Sequence, residues 1–241
     1  MNSGSPTPTE PPVTPHPAGG VWRWAWVSYP LLCLLGLAAG LWPGSIYPSQ
    51  AGFPTAPLPA LRCLAVAQVA FVLLVYPLVL QSRRRACGER EYWSRAALES
   101  GICLVATVPF YVAAAWLGDA VTKDVVRAAV YVACLFPVAW VGGAYLARGP
   151  ARSAVLLALL LSAFGLPAAY YVTREFLMRV PSEWLWRLAP ATFAWDQAAS
   201  RGDSWFPQPA WAWLLWPVIA AAAGMGRLLL RGASSLRRDA C

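Results

Sequence analysis

Six cysteines, one histidine and one lysine are the residues of this chain best suited to covalent or metal chemistry, and their spacing argues against it. Cys33, Cys63, Cys103 and Cys134 fall in apolar stretches, Cys87 in an Arg-rich loop and Cys241 at the terminus. None forms the Cys-x-x-Cys pair that a zinc knuckle or a dithiol redox centre needs. They read as small apolar packing groups. His16 lies in a Pro-rich stretch, which excludes a His-ligated haem or a His-rich metal site in an apolar interior. Ser162 has no His or Lys base in its stretch, and no pair of aspartates lies in the apolar segments, so a hydrolase centre is not supported. Lys123 is followed by Asp124 and lacks the preceding glycines of a Walker loop. No enzyme activity, cofactor or metal is expected, and any ATP-driven motion must draw on a second chain.

Two charged loops carry the remaining chemistry. Arg83–Glu99 reads RRRACGEREYWSRAALE, with opposite charges four apart at Arg85–Glu89, Glu91–Arg95 and Arg95–Glu99. Each such pair contributes ~0.3 kcal/mol on an exposed helix. The spacing predicts a short helix at the membrane surface that turns into the next apolar segment. Two roles stay open for it: an interfacial anchor with Trp93 among the headgroups, or a docking helix for a cytoplasmic partner. The second loop, Arg174–Ser204, places Phe176, Leu177, Val180, Trp184, Leu185 and Leu188 at helical spacing. Pro181 and Pro190 each suit the first turn of a new helix. Two short helices are predicted, around Pro181–Leu188 and Pro190–Ala199, resting in the outer leaflet or against the bundle. Trp184 and Trp186 are the expected interface anchors.

The elements that position these loops follow from composition. The chain is 59% hydrophobic and 12% charged, with a mean hydropathy of +0.50. Soluble domains carry roughly 25% charged residues. An all-α polytopic membrane protein is therefore expected. Charge-free stretches place six spans at Trp24–Trp42, Cys63–Leu80, Ser100–Gly118, Ala128–Ala147, Ser153–Thr173 and Trp205–Gly226. Each approaches the ~20 residues that cross ~30 Å of hydrocarbon. Residues 1–20 form an expected flexible Pro-rich tail, 21–231 the transmembrane domain, and 232–241 a basic tail. With both termini on one side, that side collects Arg23, Arg83, Arg84, Arg85, Arg90, Arg95, Arg148, Arg152, Arg227, Arg231, Arg237 and Arg238. The other side receives Arg62, Lys123, Arg127, Arg174, Arg179, Arg187 and Arg201. Twelve against seven puts both termini in the cytoplasm. The basic excess then marks topology and contact with anionic lipids. Without a basic soluble face, no nucleic-acid partner is expected.

Each span contains a proline, namely Pro30, Pro77, Pro109, Pro137, Pro167 and Pro217, which suits a bent and movable bundle. No Asp, Glu, Lys, Arg or His falls within the spans, where only Gln68, Thr107, Ser28, Tyr76 and Tyr170 stand out as polar. Ion-coupled carriers need such groups near the midplane, so that class is disfavoured.

Taken together, six spans, both termini inside, a charged helix between spans two and three and short helices between five and six resemble the ABC-2-type permeases of ABC exporters. CGEREYWSRAALES (Cys87–Ser100) resembles the family's Glu-Arg-Glu coupling-helix region, and WLWRLAPATFAWDQA (Trp184–Ala198) its segment before the last span. The resemblance implies a homodimer or heterodimer of permeases in a bacterial inner membrane. It also implies a separate cytoplasmic ATPase docked through Glu89, Arg90, Glu91 and Tyr92. The alternative is a non-catalytic scaffold or anchor subunit of a larger membrane complex. In that role Gly36-Leu-Ala-Ala-Gly40 would serve either as a close-contact face for a partner or in internal packing.

Overall fold

The computed structural model describes residues 19–42, 60–86, 88–117, 120–147, 152–177, 183–198, 204–206 and 209–239. Most of the expected N-terminal tail lies outside the described residues. Among those described, the chain is all helical, with no strand. The helices are α1 (Gly19–Leu41), α2 (Ala60–Ala70), α3 (Tyr76–Ala86), α4 (Glu89–Leu117), α5 (Thr122–Ala147), α6 (Arg152–Leu160), α7 (Leu166–Leu177), α8 (Glu183–Leu188), α9 (Pro190–Gln197) and α10 (Ala210–Asp239). α2 runs into α3, and α6 into α7, through π-helical turns at Phe71–Val75 and Leu161–Gly165. Four helices are long and apolar enough to cross a membrane: Ala60–Arg85, Glu89–Leu117, Thr122–Ala147 and Arg152–Glu175. These make the chain a membrane protein. The apolar parts of α1 and α10, Trp26–Leu41 and Ala210–Gly226, are shorter.

The charge-free criterion shortened the spans at their ends. Arg62, Lys123, Asp124, Arg127 and Arg152 all lie inside the helices proper. Polar groups at a helix end can reach the interface, so charge does not mark where the helix stops. Toward its N-terminus, α4 also differs from expectation. The predicted surface helix and the span after it are one uninterrupted helix. No Gly or Pro interrupts Glu89–Ser100, and a single buried stripe, Tyr92, Ala96, Glu99, Cys103, Thr107, Tyr111 and Ala114, runs through both parts. Packing of that stripe keeps one axis. At 29 residues, α4 is roughly 43 Å long, so its charged first turns project beyond the hydrocarbon.

α5 is the hub, packed against α2, α3, α4, α6, α9 and α10. An aromatic file crosses the core, with ring centroids 4.5 Å apart at Tyr29–Phe71, 6.1 Å at Phe71–Tyr76 and 5.6 Å at Tyr76–Phe136. Two glycines allow the closest helix approaches. A Cβ at Gly36 would lie 2.8 Å from Ala67 Cβ and 2.9 Å from the Cys63 carbonyl. The Gly36–Gly40 motif thus serves internal packing of α1 on α2. Gly143 does the same for α5 on α3.

The π turns have a shared cause. The Tyr76 N–H reaches back to the Phe71 carbonyl, and the Leu166 N–H to the Leu161 carbonyl, one residue further than in an α-helix. Each turn ends two residues before a proline, Pro77 or Pro167. A proline removes one N–H and its ring crowds the carbonyl four residues back, which a widened turn relieves. Pro30, Pro109, Pro137 and Pro217 sit in unbroken α-helix.

Candidate functional site

The arginine-rich end of the bundle holds the most organised polar cluster. α3 delivers Arg83 and Arg84 in its last turn, and α4 delivers Glu89, Tyr92 and Glu99. Arg83 pairs with Glu99, whose side chain is buried, and Arg84 pairs with Glu89 at 3.2 Å. The Arg84 guanidinium also lies 5.5 Å from the Tyr92 ring centroid, a favourable position over the π face. Tyr92 Oη donates to the Trp140 carbonyl on α5 at 2.5 Å, and Trp140 Nε1 donates to Ser100 Oγ at 2.8 Å. Tyr76 Oη donates to the Ala96 carbonyl at 3.1 Å. The first turns of α4 are thereby fastened to α3 and α5.

This arrangement divides the four residues proposed for docking. Tyr92 is buried in the clamp and Glu89 is half-buried, while Arg90 and Glu91 are exposed. Glu91 pairs with Arg95 at 2.5 Å on the exposed face, as the i,i+4 spacing predicts. The other two predicted pairs do not form the ladder. Glu89 takes Arg84, because the break at Gly88 puts Arg85 and Glu89 on different helices. Glu99 turns inward to Arg83. Arg84, Glu99, Ser100 and Trp140 escaped sequence reasoning. The signal for Glu99 was its place in the Tyr92–Ala96–Glu99–Cys103 stripe. Trp93 is half-buried beside Tyr92, with ring centroids 5.1 Å apart.

The opposite end is closed by α8 and α9. These match the two predicted short helices, with Pro190 in the first turn of α9. At six and eight residues neither can cross a bilayer. Of the two expected placements, α9 takes the bundle: Thr192, Phe193, Ala194 and Gln197 are buried, and it packs on α2, α5 and the Leu161–Gly165 turn. Phe193 meets Tyr131 edge-on with centroids 4.8 Å apart. Trp184 is exposed. Trp186 is half-buried and donates its indole N–H to Asp196, with Tyr170 packed at 4.7 Å.

Burial raises the Asp196 carboxyl above its ordinary value, opposed by the Trp186 hydrogen bond and by Arg62 and Arg187. The folded chain therefore holds the proton more tightly than the unfolded one. Stability from this group is full below about pH 3.9 and fades as pH rises through the folded value. Asp196→Asn should remove that pH dependence and raise thermal stability at neutral pH, read by unfolding in detergent from about pH 4 to 7. An unchanged pH profile in the variant would exclude Asp196 as its source.

At depth, Tyr111 Oη donates to Gln68 Oε1 at 2.5 Å, and Gln68 is fully buried. Such side-chain bonds join α2 and α4 across an apolar interior. The class these features define is an all-helical membrane protein with a clamped, charged helix end on one face and a short-helix plug at the other. No family model matches the chain, and no curated protein or solved structure is detectably similar to it.

Proposed function

We propose that the chain is the membrane-spanning permease subunit of an ABC-type exporter, driven by a separate cytoplasmic ATPase. One observation carries the reading: the projecting end of α4 is both exposed to a partner and rigidly continuous with a span. Arg90, Glu91, Ser94 and Arg95 are exposed, while Tyr92 and Glu99 tie the same turns to α3 and α5. A push on the exposed face is transmitted to three spans. The charge-free depth of the bundle and the missing nucleotide loop also favour an external energy source.

In this reading α1 and α10 complete six spans. α1 has 23 residues and α10 has 30, or roughly 35 and 45 Å of helix. Both termini and the arginine-rich end then face the cytoplasm of a bacterial inner membrane, with two permeases per exporter.

The exposed face of α4 can be altered without touching the clamp. Glu89 belongs to the internal clamp, so reversing it would disturb the fold. Glu91→Lys with Arg95→Glu instead swaps an exposed pair and keeps an opposite-charge pair four residues apart, a change of only ~0.2–0.5 kcal/mol. The swapped protein should stay folded and lose the ATPase that co-purifies with the wild type from native membranes. If the wild type recovers no ATPase, the chain is a scaffold or anchor subunit. If both recover it equally, docking lies elsewhere.

A further inference from the structure

α4 and α10 each pack on α5 but scarcely on each other, which leaves a groove of about 320 Å³ between them. α5 forms its floor with Pro137, Trp140 and Val141. Trp93 of α4 and Gly224 of α10 form the walls, with Glu89 at the rim. Almost everything below the rim is carbon. Ala221 and Met225 on the α10 wall are exposed, so the groove opens sideways, toward the bilayer.

The rim is basic. Arg84 neutralises Glu89. Arg90 is exposed and stands three residues before Trp93, on the same face of α4. An apolar slot whose acid is neutralised by Arg84 and whose polar end carries the exposed Arg90 matches a molecule with one negative headgroup and a chain. Basic pockets between transmembrane helices recognise anionic lipid headgroups in this way.

We propose that this groove binds an anionic phospholipid, with one acyl chain between Trp93 and Gly224 and its phosphate at the basic rim. The inference requires only that the chain sits in a bilayer and is independent of any ATPase. α10 provides the means to test it. A Cβ at Gly224 would meet only Val141 Cγ2, at 3.8 Å, so a side chain there projects into the groove without disturbing the backbone.

The experiment is native mass spectrometry of the full chain released from nanodiscs of equimolar phosphatidylglycerol and phosphatidylcholine. The wild type should retain one phosphatidylglycerol in preference to phosphatidylcholine. Gly224→Phe should abolish that adduct and Gly224→Ala should keep it. Ala221→Phe, at an exposed lining position, fills the groove independently should Gly224→Phe fail to fold. Arg90→Gln should weaken retention of phosphatidylglycerol about fivefold, without affecting phosphatidylcholine. Equal retention of the two lipids would overturn the anionic assignment. An adduct that survives both Phe substitutions would overturn the site. A protein dimer that Gly224→Phe dissociates, with no lipid adduct, would show that a second copy occupies the groove and would overturn the proposal.

Discussion

Gly143→Ala is expected to destabilise the bundle severely, whereas Gly142→Ala, one residue away, should be neutral or stabilising. A Cβ at Gly143 would fall 2.6 Å from Leu80 Cβ, 3.0 Å from Tyr92 Oη and 3.1 Å from the Pro77 carbonyl. Two of those neighbours sit at or beside backbone and cannot swing aside. Separating α3 from α5 costs about 1–3 kcal/mol of overpacking. Displacing Tyr92 from the Trp140 carbonyl adds about 1–3 kcal/mol for the buried groups left unpaired. A Cβ at Gly142 meets Leu159 Cδ1 at 3.4 Å and Pro77 Cβ at 3.8 Å, ordinary contact distances. There the gain in helix propensity, up to ~1 kcal/mol, should dominate. Thermal unfolding of both variants in one detergent decides it. Equal melting temperatures would mean that α3 and α5 are not in this close contact.

Asp124→Leu is the second large effect. Asp124 and Arg127 pair within the first turns of α5, and Arg127 is 1% exposed. Removing the carboxylate takes the Asp124 charge away from a buried guanidinium, at a cost of up to about 3–5 kcal/mol. The double variant Asp124→Leu/Arg127→Leu should recover to within ~1 kcal/mol of wild type, because apolar residues of similar size can replace a buried pair. The residue of the loss comes from Asp124's place near the positive end of the α5 dipole. If the double variant melts as low as the single one, packing around Asp124 and not charge governs this end.

Much of the fold was legible because lipid demands long apolar helices, and these four stand out from composition alone. The second short helix was legible from Pro190 at its start, and the first from its apolar spacing, while Pro181 lies outside the described residues. What composition could not reveal was which side of each helix faces inward. Leu64 is fully buried and Leu35 is 57% exposed, yet lipid and core are equally apolar and both positions accept leucine. The same ambiguity hid Glu99, which the charge pattern placed on a surface ladder and which the α4 stripe turns inward. At Trp186 the sequence shows an indole but not Asp196, ten residues on, taking its N–H. At the candidate docking helix, the sequence does not show that Tyr92 and Glu89 belong to the clamp while Arg90 and Glu91 face outward.

The widened turn at Phe71–Val75 bears on how this span can be read at all. One extra residue in a turn shifts everything beyond it by about 100° around the axis. Before the shift, the α2 half leans on α1 and α9; after it, the α3 half leans on α5. One helix thus addresses neighbours in two directions, like a key cut on two edges. A helical wheel drawn through Ala60–Arg85 superimposes two phases and blurs both stripes. Deleting one residue from Phe71–Val75 would merge the phases and take one set of neighbours out of alignment. Insertions and deletions inside this span therefore act as changes of partner as well as changes of length.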